Sequence, residues 1–355
     1  MNRLSALDAF GPAMARVNAM LFNPFRLSTW LKIGFIGMLG GGVARFSGSF
    51  NFRGPMVPDF PKGDFPKDPF TEIHNAIRSI HLADYVHIIV AVLIAIVVIS
   101  LIFLYLFCRF RFVLFDSVIS GEAVVGRGWR RYASQANRYF GFWLVFRLVS
   151  WAAIALIVGL PIWNAYKSGS FSSDDSIMAL LRVLTSIALG AIAASIVFAV
   201  ISTLMKDFIM PIMALDDLTL GDAWTALWRV IATEPGAWAG YFGMKVVFTI
   251  IAAIGLGIAT LVAMIPAAIV IGIPVGILVA LGVFSLKAAG TAAGVALFSV
   301  AGLLAATGFI CLYMVLTAPV TVFFASYAFY FFGGRYPKLG ALLPQPAPVP
   351  QMART

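Results

Sequence analysis

Charge is scarce in this chain. Only 11% of its 355 residues are Asp, Glu, Lys or Arg, against about 25% in an ordinary soluble domain. Hydrophobic residues reach 61%. A water-soluble fold could not keep so much apolar surface from solvent, whereas a bilayer can. Cysteine is also rare: Cys108 and Cys311 both lie inside apolar runs. That excludes a disulfide framework and offers no metal-ligand spacing, so they read as small apolar residues. Histidine stops at three, His74, His81 and His87. On a straight helix the first two share a face but sit about 10.5 Å apart. That is too far for both to ligate one metal at roughly 2 Å, and a metal site would need further ligands folded in from Asp59, Asp64 or Glu72.

Reaction chemistry is missing as well. There is no Gly-x-Ser-x-Gly elbow, no glycine-rich phosphate loop followed by Lys, and no His-Glu-x-x-His run. The sequence therefore predicts a non-enzymatic protein without a cofactor. The first twenty residues carry Arg3, Asp8 and Arg16 and do not read as a cleavable signal peptide. The net charge of +10 sits between apolar runs rather than on a soluble basic patch. It points to anionic headgroups and away from nucleic acid.

What is present is a series of apolar runs. The pattern predicts an all-α integral membrane fold with about six transmembrane helices, interfacial amphipathic connectors and an internal repeat. Residues 1–28 read as an interfacial helix carrying Leu4, Leu7, Phe10, Met14, Val17 and Leu21, with Gly11-Pro12 breaking or restarting it. The membrane domain covers 29–334. Its spans are expected near 29–46, 88–108, 148–166, 183–205, 246–266 and 295–318, with 267–286 re-entrant or an extra span. The first is the weakest, since Lys32 and Arg45 bracket it and Gly34, Gly37 and Gly40 to Gly42 loosen it. After Pro319 an aromatic interfacial helix is expected through Phe332. Residues 47–84 form an extracytoplasmic loop, and 335–355 a disordered Pro-rich tail.

Two connectors repeat. Asp116, Gly121, Glu122, Ala123, Trp129 and Arg130 align with Asp216, Gly221, Asp222, Ala223, Trp228 and Arg229 at the cost of a one-residue gap. In the first, Arg127, Arg130, Arg131 and Arg138 form a basic side beside Trp129, suited to anionic headgroups. In the second, Thr219 to Asp222 has capping-box spacing, and Trp224, Leu227, Trp228 and Ile231 share a stripe. The two Asp residues and their Trp-Arg pairs either build one pseudo-symmetric headgroup or partner surface or cap and pair locally. Arg147, Arg182 and Lys245 fall at predicted span ends, where snorkelling explains them. Spans so free of charge argue against ion-coupled transport.

Counting Lys and Arg sets the orientation. With six spans and both termini cytoplasmic, 17 of the 25 lie inside, seven of them in Arg109 to Arg147. This predicts a multi-pass inner-membrane protein.

The segment Phe208-Ile-Met-Pro211-Ile-Met-Ala-Leu-Asp216, followed by Gly221-Asp222-Ala223 and Trp228, resembles the membrane domain attached to some glycerophosphodiester phosphodiesterases. It is also similar to the YciC-type uncharacterised inner-membrane proteins. The opening Leu21-Phe-Asn-Pro-Phe-Arg-Leu-Ser-Thr-Trp-Leu-Lys-Ile-Gly-Phe35, together with Phe112-Val-Leu-Phe-Asp116-Ser117, resembles a prokaryotic membrane family of unknown function in that broader group. The resemblance implies a six-span bundle with no assigned activity. Phosphodiesterase chemistry does not carry over, because no histidine here is followed by Arg-Gly. The expected role is a scaffold that organises lipid, a membrane-protein partner or a second copy. The alternative is a permease or exporter for an uncharged or lipidic solute.

Overall fold

The computed structural model describes residues 3–41, 82–168, 176–288 and 291–344. Every element named here is helical. The short α1 (Phe10–Leu21) and α2 (Leu27–Leu39) come first, then α3 (Leu82–Ser120), α4 (Val125–Arg131) and α5 (Ala133–Lys167). Next, α6 (Ser176–Leu204) passes through a π-helical segment (Met205–Ile209) into α7 (Met210–Asp216), followed by α8 (Leu220–Thr233). Then α9 (Pro235–Ala267) runs through a second π segment (Ala268–Gly272) into α10 (Ile273–Ala288). Finally α11 (Thr291–Gly333) and α12 (Pro337–Leu342) close the chain. The expected loop at 47–84, apart from its last residues, lies outside the described residues, as does most of the Pro-rich tail.

Among the described residues five helices, not six, are long and apolar enough to cross a membrane. The first expected span, 29–46, is described only as far as Gly41. At 13 residues α2 is about 20 Å long, short of the roughly 30 Å hydrocarbon. Its glycines do not loosen it; they let it pack. A Cβ on Gly34 would run into the Met314 backbone, one on Gly37 into Thr321, and one on Gly40 would crowd the Phe110 backbone. So α2 crosses α11 and α3 at close range.

The core gathers at one end of the long helices, here called the cap. Phe208 lies 4.7 Å from Trp238 and 5.0 Å from Tyr241 between ring centroids, and Tyr241 stacks on Tyr327 at 5.3 Å. Pairs of this kind add about 0.5–1.5 kcal/mol beyond their burial. The aromatic stretch ending at Phe332 belongs to this core and is not interfacial: Tyr327, Phe329, Phe331 and Phe332 are all buried. It continues α11 unbroken past Pro319. Away from the cap the helices become arms that leave apolar side chains exposed along most of their length. At most 6% of the residues in any arm's most apolar stretch are buried. A helix that is apolar all round suits lipid rather than water.

Both described chain ends return to the cap. In α1, Gly11 and Pro12 occupy the first turn, where no backbone donor is needed. Its buried side is Ala13, Val17, Met20 and Leu21, while Leu7, Phe10 and Met14 remain exposed. Arg16 reaches the last turn of α3, its Nε 2.9 Å from the Val118 carbonyl and Nη2 2.8 Å from that of Ile119. A cation on helix C-terminal carbonyls satisfies groups the helix itself leaves open. Burial lowers the Arg16 pKa from its ordinary value. Near the other end, the Tyr327 hydroxyl donates to the Ala6 carbonyl at 3.0 Å.

Candidate headgroup and partner surface

The first connector is two helices rather than one. α4 has only seven residues, Tyr132 breaks the ladder, and α5 restarts at Ala133. Gly121 makes the turn into it with φ 81°, a left-handed conformation that suits glycine. Gly128 sits on the Val113 backbone, where a Cβ would collide. That contact brings α4 down onto the end of α3.

Asp116 is buried in that end and accepts from Arg127 Nε at 2.7 Å, with Arg131 Nη1 at 3.9 Å. Arg127 also reaches Glu122 at 3.2 Å. The hydrogen bond to Asp116 is the largest influence on Arg127 and raises its guanidinium pKa above the ordinary value. Arg138 does not sit beside it. Its guanidinium clasps the turn after α7, 3.1 Å from both the Asp217 carboxylate and the Asp217 carbonyl. Trp129 is half-buried, with Arg109 stacked 5.0 Å from its ring and donating to its carbonyl at 3.1 Å. Arg130 is exposed and makes no ion pair among the described residues.

The second connector turns at Asp217, with φ 49°, and Thr219 caps α8 by accepting from the Asp222 backbone N–H at 3.4 Å. Asp216 pairs with neither Trp228 nor Arg229; it accepts from the Tyr336 hydroxyl and Lys338 Nζ. Trp228 is 63% exposed, unlike Trp129. Arg229 lines an open cleft of about 260 Å³ with Arg3, Thr233 and Arg335. Two of these arginines are held by Glu234: Arg3 and, at 3.0 Å, Arg335. Burial alone would raise the Glu234 pKa, but its hydrogen bonds and charge contacts with these arginines outweigh that and hold it below the usual carboxylate range.

The two connectors thus share burial but not partners. Offset by 100 residues, then 99, Cys108 and Phe208, Phe112 and Ile212, and Tyr139 and Trp238 are all buried. Asp116 and Asp216 nonetheless bind different groups, so the nine residues do not converge on one site.

A second constellation lies apart from the connectors. In the first π segment Asp207 is buried and accepts from Arg111 Nη2 at 3.3 Å, from the Tyr241 hydroxyl at 2.8 Å and from Lys245 Nζ. Three separate helical stretches therefore meet on one carboxylate. Arg111 Nε and the indole N–H of Trp238 are buried with no hydrogen-bond partner among the described residues. The sequence does hold a signal: Arg111, Asp207 and Lys245 each stand within three residues of an uncharged run. Lys245 is therefore not a free snorkelling side chain: Asp207 holds it. Among the described residues no cluster of His, Cys, Asp and Glu could hold a metal; His74, His81, Asp59, Asp64 and Glu72 lie outside them.

The cap with its five apolar arms defines an all-α fold of the membrane-protein type. The chain belongs to a family of unknown function, DUF7544, whose model matches residues 4–342. That match supplies no link to the phosphodiesterase membrane domain or to the YciC-type proteins. No curated protein and no solved structure matches the chain.

Proposed function

We propose that this is a non-enzymatic, multi-pass inner-membrane protein that organises anionic lipid around its cap, the lipid serving as the contact to any membrane-protein partner or second copy. One observation supports this above others: cations on three helices share a level where the apolar arms end. Arg109 follows the run Ile88–Cys108, Lys206 follows Val183–Met205, and Lys245 precedes Val246. Contacts tie their helices together: Lys206 Nζ lies 5.7 Å from the Phe107 ring and 5.6 Å from that of Trp143, and Lys245 meets Asp207. Trp129 against Arg109 adds an amphipathic ring at the same level. The exposed Arg130 and Arg131 extend the basic face. Each basic residue at an anionic surface contributes about 1 kcal/mol.

On this reading the cap faces the cytoplasm. Cysteine at Ser168, at the far end of α5, reacts with an impermeant maleimide in intact cells, and cysteine at Ser134 does not. For the function, Arg130→Gln with Arg131→Gln lowers the anionic phospholipid retained on purified protein, measured by mass spectrometry, with zwitterionic lipid unchanged. Equal retention overturns the lipid role.

The rival reading is a permease for an uncharged or lipidic solute, and it draws on the Asp207 centre, since buried ionisable groups at a membrane mark transport paths. Solute flux in proteoliposomes that disappears in Asp207→Asn would replace the scaffold.

A further inference from the structure

We propose that the tip of the hairpin formed by α10 and the start of α11 lies within the far leaflet, packed among acyl chains, and that the second π segment is the bend that puts it there.

The inference starts from length. The uncharged runs Ile88–Cys108 on α3 and Val183–Met205 on α6 hold 21 and 23 residues, about 32 and 35 Å of helix. Each matches a hydrocarbon thickness of roughly 30 Å. The run Val246–Leu286 holds 41 residues, about 62 Å. A tight hairpin of two spans inside that run would absorb the excess, but the chain is helical without reversal from Pro235 to Leu286. The returning helix packs along it. Gly308 faces Ile271, Gly282 faces Phe298, and Gly294 faces Leu286, small residues that allow close helix contact.

Val246–Ala267 alone spans about 33 Å, so the far edge of the hydrocarbon falls at the second π segment. Beyond it a straight hairpin would carry roughly 25 Å of uncharged helix pair into water. Its outward faces are apolar: Ile277 is 56% exposed, Phe284 68% and Leu303 70%. Monomeric soluble surfaces rarely expose contiguous apolar patches on that scale. The molecule carries its own remedy at this level. The π segment is flanked by Pro266 and Pro274, and π-bulges and prolines are the usual sources of sharp helix kinks. A bend there lays α10 along the leaflet instead of through it. Because α10 carries no charge as far as Leu286, and Lys287 can snorkel from its end, the helix belongs below the headgroups rather than among them.

This rests on the arms and is independent of the headgroup surface at the cap. The test uses the full chain with Cys108 and Cys311 replaced by alanine, reconstituted in proteoliposomes, and a nitroxide at Phe284→Cys. Collision rates with oxygen and with a water-soluble nickel chelate are compared with labels at Ile94→Cys, mid-arm on α3, and Thr225→Cys, on the cap. The oxygen-to-nickel ratio at 284 is expected several-fold above that at 225 and near that at 94. A ratio matching 225 places the tip in water and overturns the proposal. Strong spin–spin broadening between two copies overturns it too, since a second chain would then cover the tip. Val295→Cys, on the facing helix, gives the same reading should the first variant fail to reconstitute.

Discussion

Asp207 and Lys245 meet side chain to side chain across 38 residues of sequence, in the layer where the apolar arms end. Arg111 closes the other carboxylate oxygen at 3.3 Å. Breaking a buried pair by removing one partner costs about 3–5 kcal/mol, because the other charge stays uncompensated. Asp207→Asn is therefore expected to lower the thermal midpoint in detergent sharply. Combining Asp207→Leu with Arg111→Met should recover most of the loss, since Lys245 is 21% exposed and can extend toward water. A double variant as unstable as the single one would show that the ion pair is not the term that matters.

Arg127 and Arg130 look alike in the sequence and differ in the fold. Arg127 satisfies the buried Asp116, while Arg130 is exposed. Arg127→Gln is expected to destabilise by about 1–3 kcal/mol, the usual penalty for leaving a buried polar group poorly satisfied. Arg130→Gln should shift stability by less than about 0.5 kcal/mol. Equal midpoints for the two variants would remove Asp116 as an anchor of the first connector.

Glu234 ties the N-terminal Arg3 and the post-α11 Arg335 to the junction of α8 and α9. Its pKa is held down in the folded state, so the clasp stabilises above the unfolded carboxylate value of about 4.3. That stability is lost as pH falls through the folded value. The wild-type midpoint should drop in acid more steeply than that of Glu234→Gln, which starts lower at neutral pH. Parallel curves would mean that the clasp contributes nothing to the pH response.

The class of the fold was legible because bilayer length and helical period are both written along the chain: Ile88–Cys108 and Val183–Met205 stand where uncharged runs of that size predict. The capping residue Thr219 was legible for a similar local reason, its partner Asp222 being three residues away. What stayed hidden depends on contacts between distant residues. Nothing near Asp216 in sequence announces Tyr336 and Lys338, and Asp207 shows its partners only once three helical stretches are brought together. The aromatic stretch before Gly333 carries the composition of an interfacial belt, and only packing against Phe208 and Tyr241 makes it core.

Glycine shows most directly how position overrides composition. Gly141 lies on an open face of α5, where a Cβ meets nothing within 4 Å. Gly141→Ala should stabilise by up to about 1 kcal/mol through helix propensity alone. Gly34 occupies a similar helical setting in α2, but a Cβ there runs into the Met314 backbone, which cannot rotate away as a side chain would. Gly34→Ala is expected to lose about 1–3 kcal/mol, the range for overpacking a close contact, and to loosen α2 from α11. Thermal unfolding of the two variants reads opposite signs, and cysteine crosslinking of Ile33 to Ala318 from the same buried cluster should weaken only in the Gly34 variant. If Gly34→Ala is as benign as Gly141→Ala, α2 does not cross α11 at close range, and a sixth span regains its place.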